Sequence, residues 1–531
     1  MTTHAGSDPE LQAARRRTFA VISHPDAGKS TLTEALALHA RAITSAGAVH
    51  GKGDRRGVVS DWMDMEKERG ISITSAALQF DYNGTVINLV DTPGHADFSE
   101  DTFRVLSAVD SAVMLLDAAK GLEPQTLKLF EVCRQRGLPV ITFINKWDRP
   151  GLDALALCDQ LSERIGLQPM PVTWPVGIAG EFAGVRDCRD STFVPFRRSV
   201  GGADEADPEV LPDSAAEAAH GDDWTTARDE SELLAESGGA FELDSYLGGT
   251  ATPVLFGSAV SNFGTRHLLD LLVDVAPAAG PRDDVDGHPR PLADPFSAFV
   301  FKVQTGMDPV HRDQVAFARV CSGVFQRGLI ASHGTTGRPF STKYAAQVFG
   351  QQRSTVETAF PGDVVALVNA RALHVGDTLY EGRPPVRFPE LPKFAPTQFA
   401  AVRPADLGRY KQFRKGVEQL DQEGVVQVFT SDARGPVPVF GAVGSLQFEV
   451  ATHRLEHEFS SPVRLDHLPY SLAQLLVDPE QRNLIRPVGR CEVVQRSDGV
   501  DIALFNDEWT VRSIRREHPE VQLEPLMGSG Q

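Results

Sequence analysis

The stretch Ser23–Thr31, SHPDAGKST, follows the apolar run TFAVI at residues 18–22 and precedes a helix-like pattern that begins at Leu32. It departs from the phosphate-binding pattern G-x-x-x-x-G-K-[ST] at one position, where Ser23 replaces the first glycine. In such a loop, backbone N–H groups and the N-terminus of the next helix surround the β-phosphate. The first position only ends the strand and opens the turn, so a small serine removes no group that the phosphate needs. The stretch therefore predicts a strand, a phosphate loop and a helix in an α/β nucleotide-binding fold.

The residue types within this loop indicate their roles. Gly28 allows close approach of the backbone to the phosphate, the Lys29 ammonium adds charge, and the Ser30 hydroxyl is a group that ligates Mg²⁺. Backbone amides from Asp26 onward supply the hydrogen bonds. The predicted phosphate-binding residues are Ser23, His24, Pro25, Asp26, Ala27, Gly28, Lys29, Ser30 and Thr31.

A second motif, VINLVDTPGHADF at residues 86–98, ends an apolar strand with Asp91. A carboxylate at this position holds Mg²⁺ through water, and Gly94 can bring its backbone N–H to a γ-phosphate. His95 follows directly and is the candidate for orienting the attacking water; the alternative is that it only completes a turn. The predicted contacts from this motif are Asp91, Thr92, Pro93, Gly94 and His95, with His95 as the catalytic residue.

A third motif, FINKWD at residues 143–148, indicates guanine as the base. Asp148 can accept from both N1–H and the N2 amine of guanine, whereas adenine has no such donor pair and would leave the carboxylate without partners. This argues against an ATP-dependent kinase. Asn145, Lys146, Trp147 and Asp148 are the predicted base-binding residues, and Ser258 and Ala259 in LFGSAV are expected to bring a backbone N–H to guanine O6.

The polar segment DWMDMEKERGISITSA at residues 61–76 lies between the first helix and the second strand. A hydroxyl at Ser72 would complete Mg²⁺ coordination when γ-phosphate is present and so couple loop order to the nucleotide. The alternative is a charged helix end that does not switch. The predicted metal ligands are Ser30, Ser72 and, through water, Asp91.

Composition places the chain among ordinary globular proteins of two to four domains. It has 531 residues, of which 41% are hydrophobic and 23% charged. Because no apolar run resembles a signal peptide or a membrane span, we expect a cytoplasmic protein without a membrane partner. Five widely spaced cysteines argue against a disulfide framework and against a thiolate metal site.

The net charge of −19 does not exclude RNA as a partner. Residues 201–240 contain twelve acidic residues and one arginine, Arg228, which leaves about −8 for the rest of the chain. A basic surface elsewhere can therefore bind nucleic acid. The predicted helix in RPADLGRYKQFRKG carries Arg409, Lys411, Arg414 and Lys415 and would meet RNA phosphates, unless it is only a solvated helix face.

The order of apolar runs and helical patterns predicts three domains. Strands alternating with helices up to about residue 277 favour a doubly wound, mostly parallel sheet, which is an α/β architecture. Short strands between glycine and aspartate turns then suggest a β-barrel, and a strand-helix-strand-helix pattern suggests an α+β module. The predicted boundaries are 1–280 for a G domain with an acidic insertion near 199–240, 295–385 for the barrel, and 395–531 for the α+β domain with a C-terminal extension. The insertion is expected to be mostly irregular, with one helix in DDWTTARDESELLAES at residues 222–237.

The motifs SHPDAGKST, SDWMDMEKERGISITSA, DTPGHADFSEDT and NKWD together resemble the translational GTPases, specifically the bacterial class II peptide chain release factors. MDPVHRDQVAFARVCSG, PGDVVALVN, EGVVQVF and GAVGSLQFEV are similar to the barrel and third domain of that family. The resemblance implies a P-loop GTPase domain, GTP or GDP with Mg²⁺, stimulation by the ribosome, and a monomer that promotes departure of class I release factors after peptide release. Carried over by residue, it assigns Ser23–Ser30 to phosphate, Ser72 and Asp91–His95 to the switches, and Asn145–Asp148 to guanine.

Two alternative functions share these motifs. One is an elongation or ribosome-protection GTPase; elongation factor G has threonine where this chain has Ser72, and it continues through further domains for which we expect no residues here. The other is a GTP-sensing binding module whose hydrolysis is incidental.

Overall fold

The computed structural model describes residues 8–39, 77–93, 95, 97, 99–196, 209–305, 314–349, 352–391, 393–485 and 490–526. The predicted switch residue Ser72 and the predicted phosphate contact Gly94 lie outside these residues.

The N-terminal region, residues 9–275, is built on a seven-stranded sheet. Its strand order is β2-β3-β1-β4-β5-β11-β6, and all neighbours are parallel except β2 and β3. A second, antiparallel sheet has the order β10-β9-β8-β7. The strands are β1 (Arg16–Ser23), β2 (Ala77–Tyr82), β3 (Thr85–Asp91), β4 (Ser111–Asp117), β5 (Val140–Asn145), β6 (Gln168–Pro171), β7 (Thr173–Ile178), β8 (Glu181–Asp187), β9 (Thr192–Pro195), β10 (Leu211–Pro212) and β11 (Ala251–Phe256).

Helices cover both faces of the seven-stranded sheet, because its central strands are apolar on both sides. In β4, Val113 and Leu115 belong to one hydrophobic cluster, while Met114 and Leu116 belong to the other. This is the continuous burial expected of a parallel sheet between helices. The predicted α/β fold is therefore confirmed. The helices are α1 (Pro9–Ala14), α2 (Lys29–His39), α3 (Ser99–Leu106), α4 (Pro124–Gln135), α5 (Ala154–Ile165), α6 (Asp213–Leu234), α7 (Leu243–Leu247) and α8 (Thr265–Val275).

The acidic segment is more ordered than the sequence predicts. Helix α6 occupies much of it, and the Trp224 ring lies in the hydrophobic core, 5.6 Å between ring centroids from Phe193 of β9. Ala216 and Ala227 are buried beside it. The sequence predicts one helix here, at residues 222–237, and most of that segment is helical. The expectation of irregular structure is wrong for residues 213–220, which form a further helical stretch before a break at Gly221 and are anchored by the buried Ala216.

The middle region, residues 282–380, is antiparallel. Eight strands form a curled sheet in the order β18-β17-β23-β14-β15-β22-β19-β20, as expected for the predicted barrel. Buried polar contacts join it to the N-terminal region: Arg16 pairs with Asp363 at 2.8 Å, and Arg319 pairs with Asp110 at 2.7 Å. The strands are β12 (Arg282–Asp283), β13 (Pro289–Arg290), β14 (Ser297–Thr305), β15 (Gln314–Ser322), β16 (Phe325–Gln326), β17 (Ile330–His333), β18 (Pro339–Ser341), β19 (Ala345–Phe349), β20 (Gln352–Thr355), β21 (Thr358–Ala359), β22 (Val364–Val368) and β23 (Thr378–Tyr380).

The C-terminal region, residues 398–525, is a single α+β unit. One eight-stranded sheet has the order β27-β24-β26-β25-β29-β30-β28-β31, so the predicted C-terminal extension continues the same sheet. The strands are β24 (Gln398–Pro404), β25 (Gln427–Ser431), β26 (Gly435–Ala442), β27 (Val463–Leu468), β28 (Leu472–Leu476), β29 (Cys491–Arg496), β30 (Asp501–Phe505) and β31 (Leu523–Pro525), and the helices are α9 (Tyr410–Glu423), α10 (Ser445–His457), α11 (Arg482–Ile485) and α12 (Glu508–Glu517). Among the described helices, none is long and apolar enough to span a membrane.

Candidate nucleotide-binding site

The predicted phosphate loop connects the end of β1 to the start of α2. Asp26 and Gly28 have φ angles of 65° and 99°, in the left-handed region. A Cβ on Gly28 would lie 2.5 Å from Asn145 Nδ2, so both the backbone angle and the space require glycine there. Ser23 is buried, and its hydroxyl donates to the His24 carbonyl at 2.9 Å. The serine thus fits the position where the pattern has glycine.

His24 holds the loop against the start of α4. Its Nε2 lies 3.1 Å from Glu123 Oε1, and both side chains are partly exposed. Lys120 lies 3.8 Å from the same Glu123 carboxylate. The motif predicts His24 as part of the loop, but its acidic partner comes from a segment about a hundred residues later, which no sequence pattern indicated.

Lys29 and Asp91 meet in the interior at the carboxyl ends of β1 and β3. The Lys29 ammonium lies 3.4 Å from Asp91 Oδ1 and donates to the Thr92 carbonyl, and both charged side chains are buried. The Thr92 N–H donates to Asp91 Oδ1 at 2.9 Å, and its hydroxyl donates to the Val21 carbonyl at 2.7 Å. The lysine of the phosphate loop and the carboxylate predicted to hold Mg²⁺ are therefore adjacent.

His95 follows this strand end and is half-buried. Its Nδ1 lies 3.3 Å from both the backbone nitrogen and Oδ1 of Asp97. Oδ2 of the same carboxylate accepts from the Leu446 N–H of the C-terminal region at 2.8 Å. The imidazole is thus held by Asp97, which the sequence did not single out.

Asn145 connects the phosphate loop with the loop that follows β11. Its Nδ2 donates to the Ala27 carbonyl at 2.8 Å, and its Oδ1 accepts from the Ala259 N–H at 2.8 Å. The Ser258 N–H donates to the Phe263 carbonyl at 3.0 Å. The N–H groups of Ser258 and Ala259, expected to reach guanine O6, are therefore bonded within the protein in this structure.

Lys146 lies across the opening of the phosphate loop. Its ammonium donates to the Asp26 carbonyl at 2.5 Å and to Asp117 Oδ2 at 2.8 Å. Burial alone would raise the pKa of the Asp117 carboxyl, but the hydrogen bonds from Lys146 and from the Ala119 N–H hold that pKa below its ordinary value. Asp117 was missed at the sequence level, although it ends β4 as Asp91 ends β3.

The two remaining residues of NKWD point to different surroundings. Asp148 is half-buried, and its Oδ1 has no hydrogen-bond partner within the part of the chain that the structure describes. Beside it lies a cavity of about 430 Å³ that Phe182 and Phe196 also line. The Trp147 indole instead lies in the hydrophobic core against Phe256, with 4.8 Å between ring centroids. Asp148 therefore carries an acceptor suited to a base, while the Trp147 ring has a packing role.

Val260 is an exposed residue beside the site that the sequence reasoning did not single out. It follows Ser258 and Ala259, and 59% of its surface is exposed. An exposed β-branched side chain in this loop offers an apolar contact to a flat base. Its signal in the sequence was its place directly after the predicted guanine loop.

The predicted groups converge, because they follow β1, β3, β5 and β11 of one sheet. Ligands of open α/β sheets bind at the carboxyl ends of such strands. A basic helix lies elsewhere, in the C-terminal region: Arg409 precedes α9, and Lys411, Arg414 and Lys415 within it are exposed. The exposure of these side chains fits both an RNA-binding helix and a helix face that is only solvated.

Three family models match consecutive parts of the chain. Residues 14–278 match the elongation factor Tu GTP binding domain, residues 295–382 match elongation factor G domain 2, and residues 388–515 match the class II release factor RF3, C-terminal domain.

Similar curated proteins extend over nearly the whole chain. A peptide chain release factor 3 from Gloeothece citriformis is 43% identical and covers 100% of this chain and 99% of its own length. Proteins with the same name from Synechococcus elongatus and Symbiobacterium thermophilum are each 45% identical, covering 97% and 96% of this chain and 94% and 97% of their own. A crystal structure of a protein from Thermus thermophilus shares the fold, with a TM-score of 0.68 and 22% identity over 92% of this chain and 72% of that one.

Proposed function

This chain belongs to the peptide chain release factor 3 family of translational GTPases, and from that premise we propose how its nucleotide site works and what it does on the ribosome. The chain is a GTPase of translation termination that binds GTP and GDP. The match of residues 388–515 to the class II release factor model disfavours the elongation or ribosome-protection alternative.

At the phosphate end, the loop from Ser23 to Thr31 binds the β- and γ-phosphates. The positive φ angles at Asp26 and Gly28 and the start of α2 at Lys29 support this assignment. Backbone N–H groups and a helix N-terminus then face the anion. The buried Lys29 ammonium, now paired with Asp91, compensates phosphate charge.

The oxygen donors beside this loop fit Mg²⁺. The Ser30 hydroxyl and the buried Asp91 carboxylate are hard ligands of the kind that Mg²⁺ takes together with water and phosphate oxygens. Ser72 is proposed as the further hydroxyl. When bound, the ion supplies charge compensation for the transferred phosphoryl group.

At the base end, Asp148 accepts from N1–H and N2–H of guanine. Its buried Oδ1 without a partner among the described residues supports this role. Lys146 lies along one face of the base, and Val260 is placed to contact the other. Asn145 fixes both neighbouring loops through its hydrogen bonds to Ala27 and Ala259.

His95 orients the attacking water. It lies in the segment that follows the strand end carrying Asp91, its ring is half-buried, and the Asp97 N–H donates to its Nδ1. The opposite ring nitrogen, Nε2, is the atom that would contact water. Catalysis in such sites consists mainly of positioning and electrostatic stabilisation, which a held imidazole can supply.

On the ribosome, the GTP-bound chain promotes dissociation of class I release factors after peptide release. The full-length similarity to proteins named peptide chain release factor 3 carries this proposal. We further propose that the chain acts as a monomer in the cytoplasm. The exposed basic helix α9 would contact ribosomal RNA phosphates.

The experiment measures departure of a fluorescently labelled class I release factor from ribosomes after peptide release. Addition of this chain with GTP should speed departure, whereas addition with GDP should not. A translocation assay in parallel should show no activity. Unchanged departure with GTP would refute the proposal, and translocation activity would restore the elongation alternative.

A further inference from the structure

Asp97 contacts two distant parts of the molecule with its two carboxylate oxygens. Oδ1 lies 3.3 Å from Nδ1 of His95, in the N-terminal region. Oδ2 accepts from the Leu446 N–H at 2.8 Å, in the first turn of α10 of the C-terminal region. One carboxylate thus links the candidate catalytic imidazole to another region of the fold.

Helix α10 lacks a cap of its own at this N–H. Its N-cap residue, Gly444, has no side chain, although an N-cap oxygen normally accepts from the second or third N–H of a helix. Gln447 Oε1 accepts from the Val443 N–H at 2.7 Å and from the Gly444 N–H at 3.4 Å. Asp97 supplies the acceptor for Leu446 from outside the helix.

Gly444 is required by space rather than by backbone conformation. Its φ and ψ of −149° and 168° are extended angles that any residue adopts. A Cβ on Gly444, however, would overlap the Asp97 carboxylate. The glycine therefore makes room for Asp97, and a single added methyl group would displace that side chain.

Helix α3, which follows Asp97 in the chain, also contacts the C-terminal region. Arg104 of α3 donates to the Glu423 carbonyl at 3.4 Å, and the Phe103 ring packs edge-on against Phe394, with 5.6 Å between centroids. These contacts do not involve Asp97. They provide a way to separate general docking of α3 from the specific contact at Gly444.

We propose that Asp97 is a positioning residue through which helix α10 sets the orientation of His95 and thereby the rate of GTP hydrolysis. The proposal rests on the proposed role of His95. The Asp97 N–H donates to Nδ1 of His95 at 3.3 Å, and Oδ1 of Asp97 lies 3.3 Å from the same nitrogen, so Asp97 fixes the plane of the imidazole and leaves Nε2 for the reacting water. The Leu446 N–H of α10 donates to Asp97, and the Asp97 N–H donates to His95. Two hydrogen bonds therefore connect the C-terminal region to the imidazole.

The test is Gly444→Ala in the full-length chain. We expect ribosome-stimulated turnover to fall on the order of 10- to 100-fold, as for a reacting group displaced by about 1 Å, with GTP affinity and KM unchanged. Phe394→Leu is the matched control, because it alters the same interface without touching Asp97, and it should retain turnover. Asp97→Asn keeps an acceptor of the same shape and should be faster than Asp97→Ala.

A double variant separates positioning from simple destabilisation. His95→Ala with Gly444→Ala should be no slower than His95→Ala alone, because the two changes act through one group. If His95→Ala is slow but Gly444→Ala turns over like the parent, the positioning role of Asp97 is overturned while the role of His95 stands. An additive loss of turnover in the double variant would have the same meaning. Parent-like turnover of His95→Ala would instead overturn the proposed role of His95, on which this inference rests.

Discussion

Replacing Asn145 with alanine should weaken nucleotide binding and the fold together, because this side chain bridges two loops of the site. Its amide donates to the Ala27 carbonyl and accepts from the Ala259 N–H, both at 2.8 Å. Ala27 and Ala259 are buried, so both backbone groups would lose their partners in the interior. At about 1–3 kcal/mol for each buried group left without a partner, the free energy of unfolding should fall by about 2–6 kcal/mol.

The same loss should appear in nucleotide affinity, since the phosphate loop and the guanine loop are no longer held at a fixed distance. We expect the Kd of a fluorescent GDP analogue to rise at least about tenfold, which corresponds to about 1.4 kcal/mol. Denaturant unfolding followed by tryptophan fluorescence measures the stability in parallel.

Thr142→Val is the matched control for this experiment. Thr142 lies in the same strand, β5, and makes one buried hydrogen bond with Thr252 at 2.9 Å, away from the loops. The valine variant should lose about 1 kcal/mol of stability and bind GDP normally. A folded Asn145→Ala protein with the parent's GDP affinity would show that the bridge does not organise the site.

Four further changes test other parts of the structure. Asp148→Asn should shift preference from GTP to xanthosine triphosphate, because the amide offers a donor to the extra carbonyl; unchanged selectivity in competition binding would refute the base assignment. Trp224→Ala should lower the free energy of unfolding by about 3–5 kcal/mol, and a parent-like melting temperature would mean that α6 does not belong to the core. Arg454→Met should cost about 3–5 kcal/mol, since it leaves the buried Glu423 carboxylate without its 2.7 Å partner; denaturant unfolding checks this. Folding lowers the pKa of Asp117, so the ionised carboxylate stabilises the folded protein above about pH 4, and this contribution is lost as pH falls through the folded pKa. The difference in unfolding free energy between the parent and Asp117→Asn should therefore shrink on acidification. A difference that stays constant with pH would contradict the pKa direction.

The sequence alone was sufficient for the family, for the GTPase activity and for the fold class. SHPDAGKST, the strand ending in Asp91, and NKWD each combine a local backbone pattern with residue types whose chemistry is specific. Parallel strands bring such motifs to one sheet edge whatever the lengths of the segments between them. For this reason the meeting of Lys29, Asp91 and Asn145 could be expected from their motifs alone.

The average composition of the acidic segment predicted its secondary structure less well than the positions of its apolar residues. The acidic segment around α6 was expected to be mostly irregular outside one helix at residues 222–237, because its average composition is polar. The observed helix is longer at its N-terminal side and breaks at Gly221; Ala216 before the break and Trp224 and Ala227 after it are buried. An average over a segment does not record which face its few apolar residues share.

Only the tertiary structure decided the partners that come from far along the chain. Asp117 holding Lys146, Glu123 beside His24, and Asp97 capping α10 carry no motif, since a single carboxylate beside a turn is common in any sequence. Their roles depend on distances of about 3 Å, which the packing of separate elements sets and which local propensity does not encode. The sequence determined which chemistry this protein carries out, and the fold determined which side chains hold that chemistry in place.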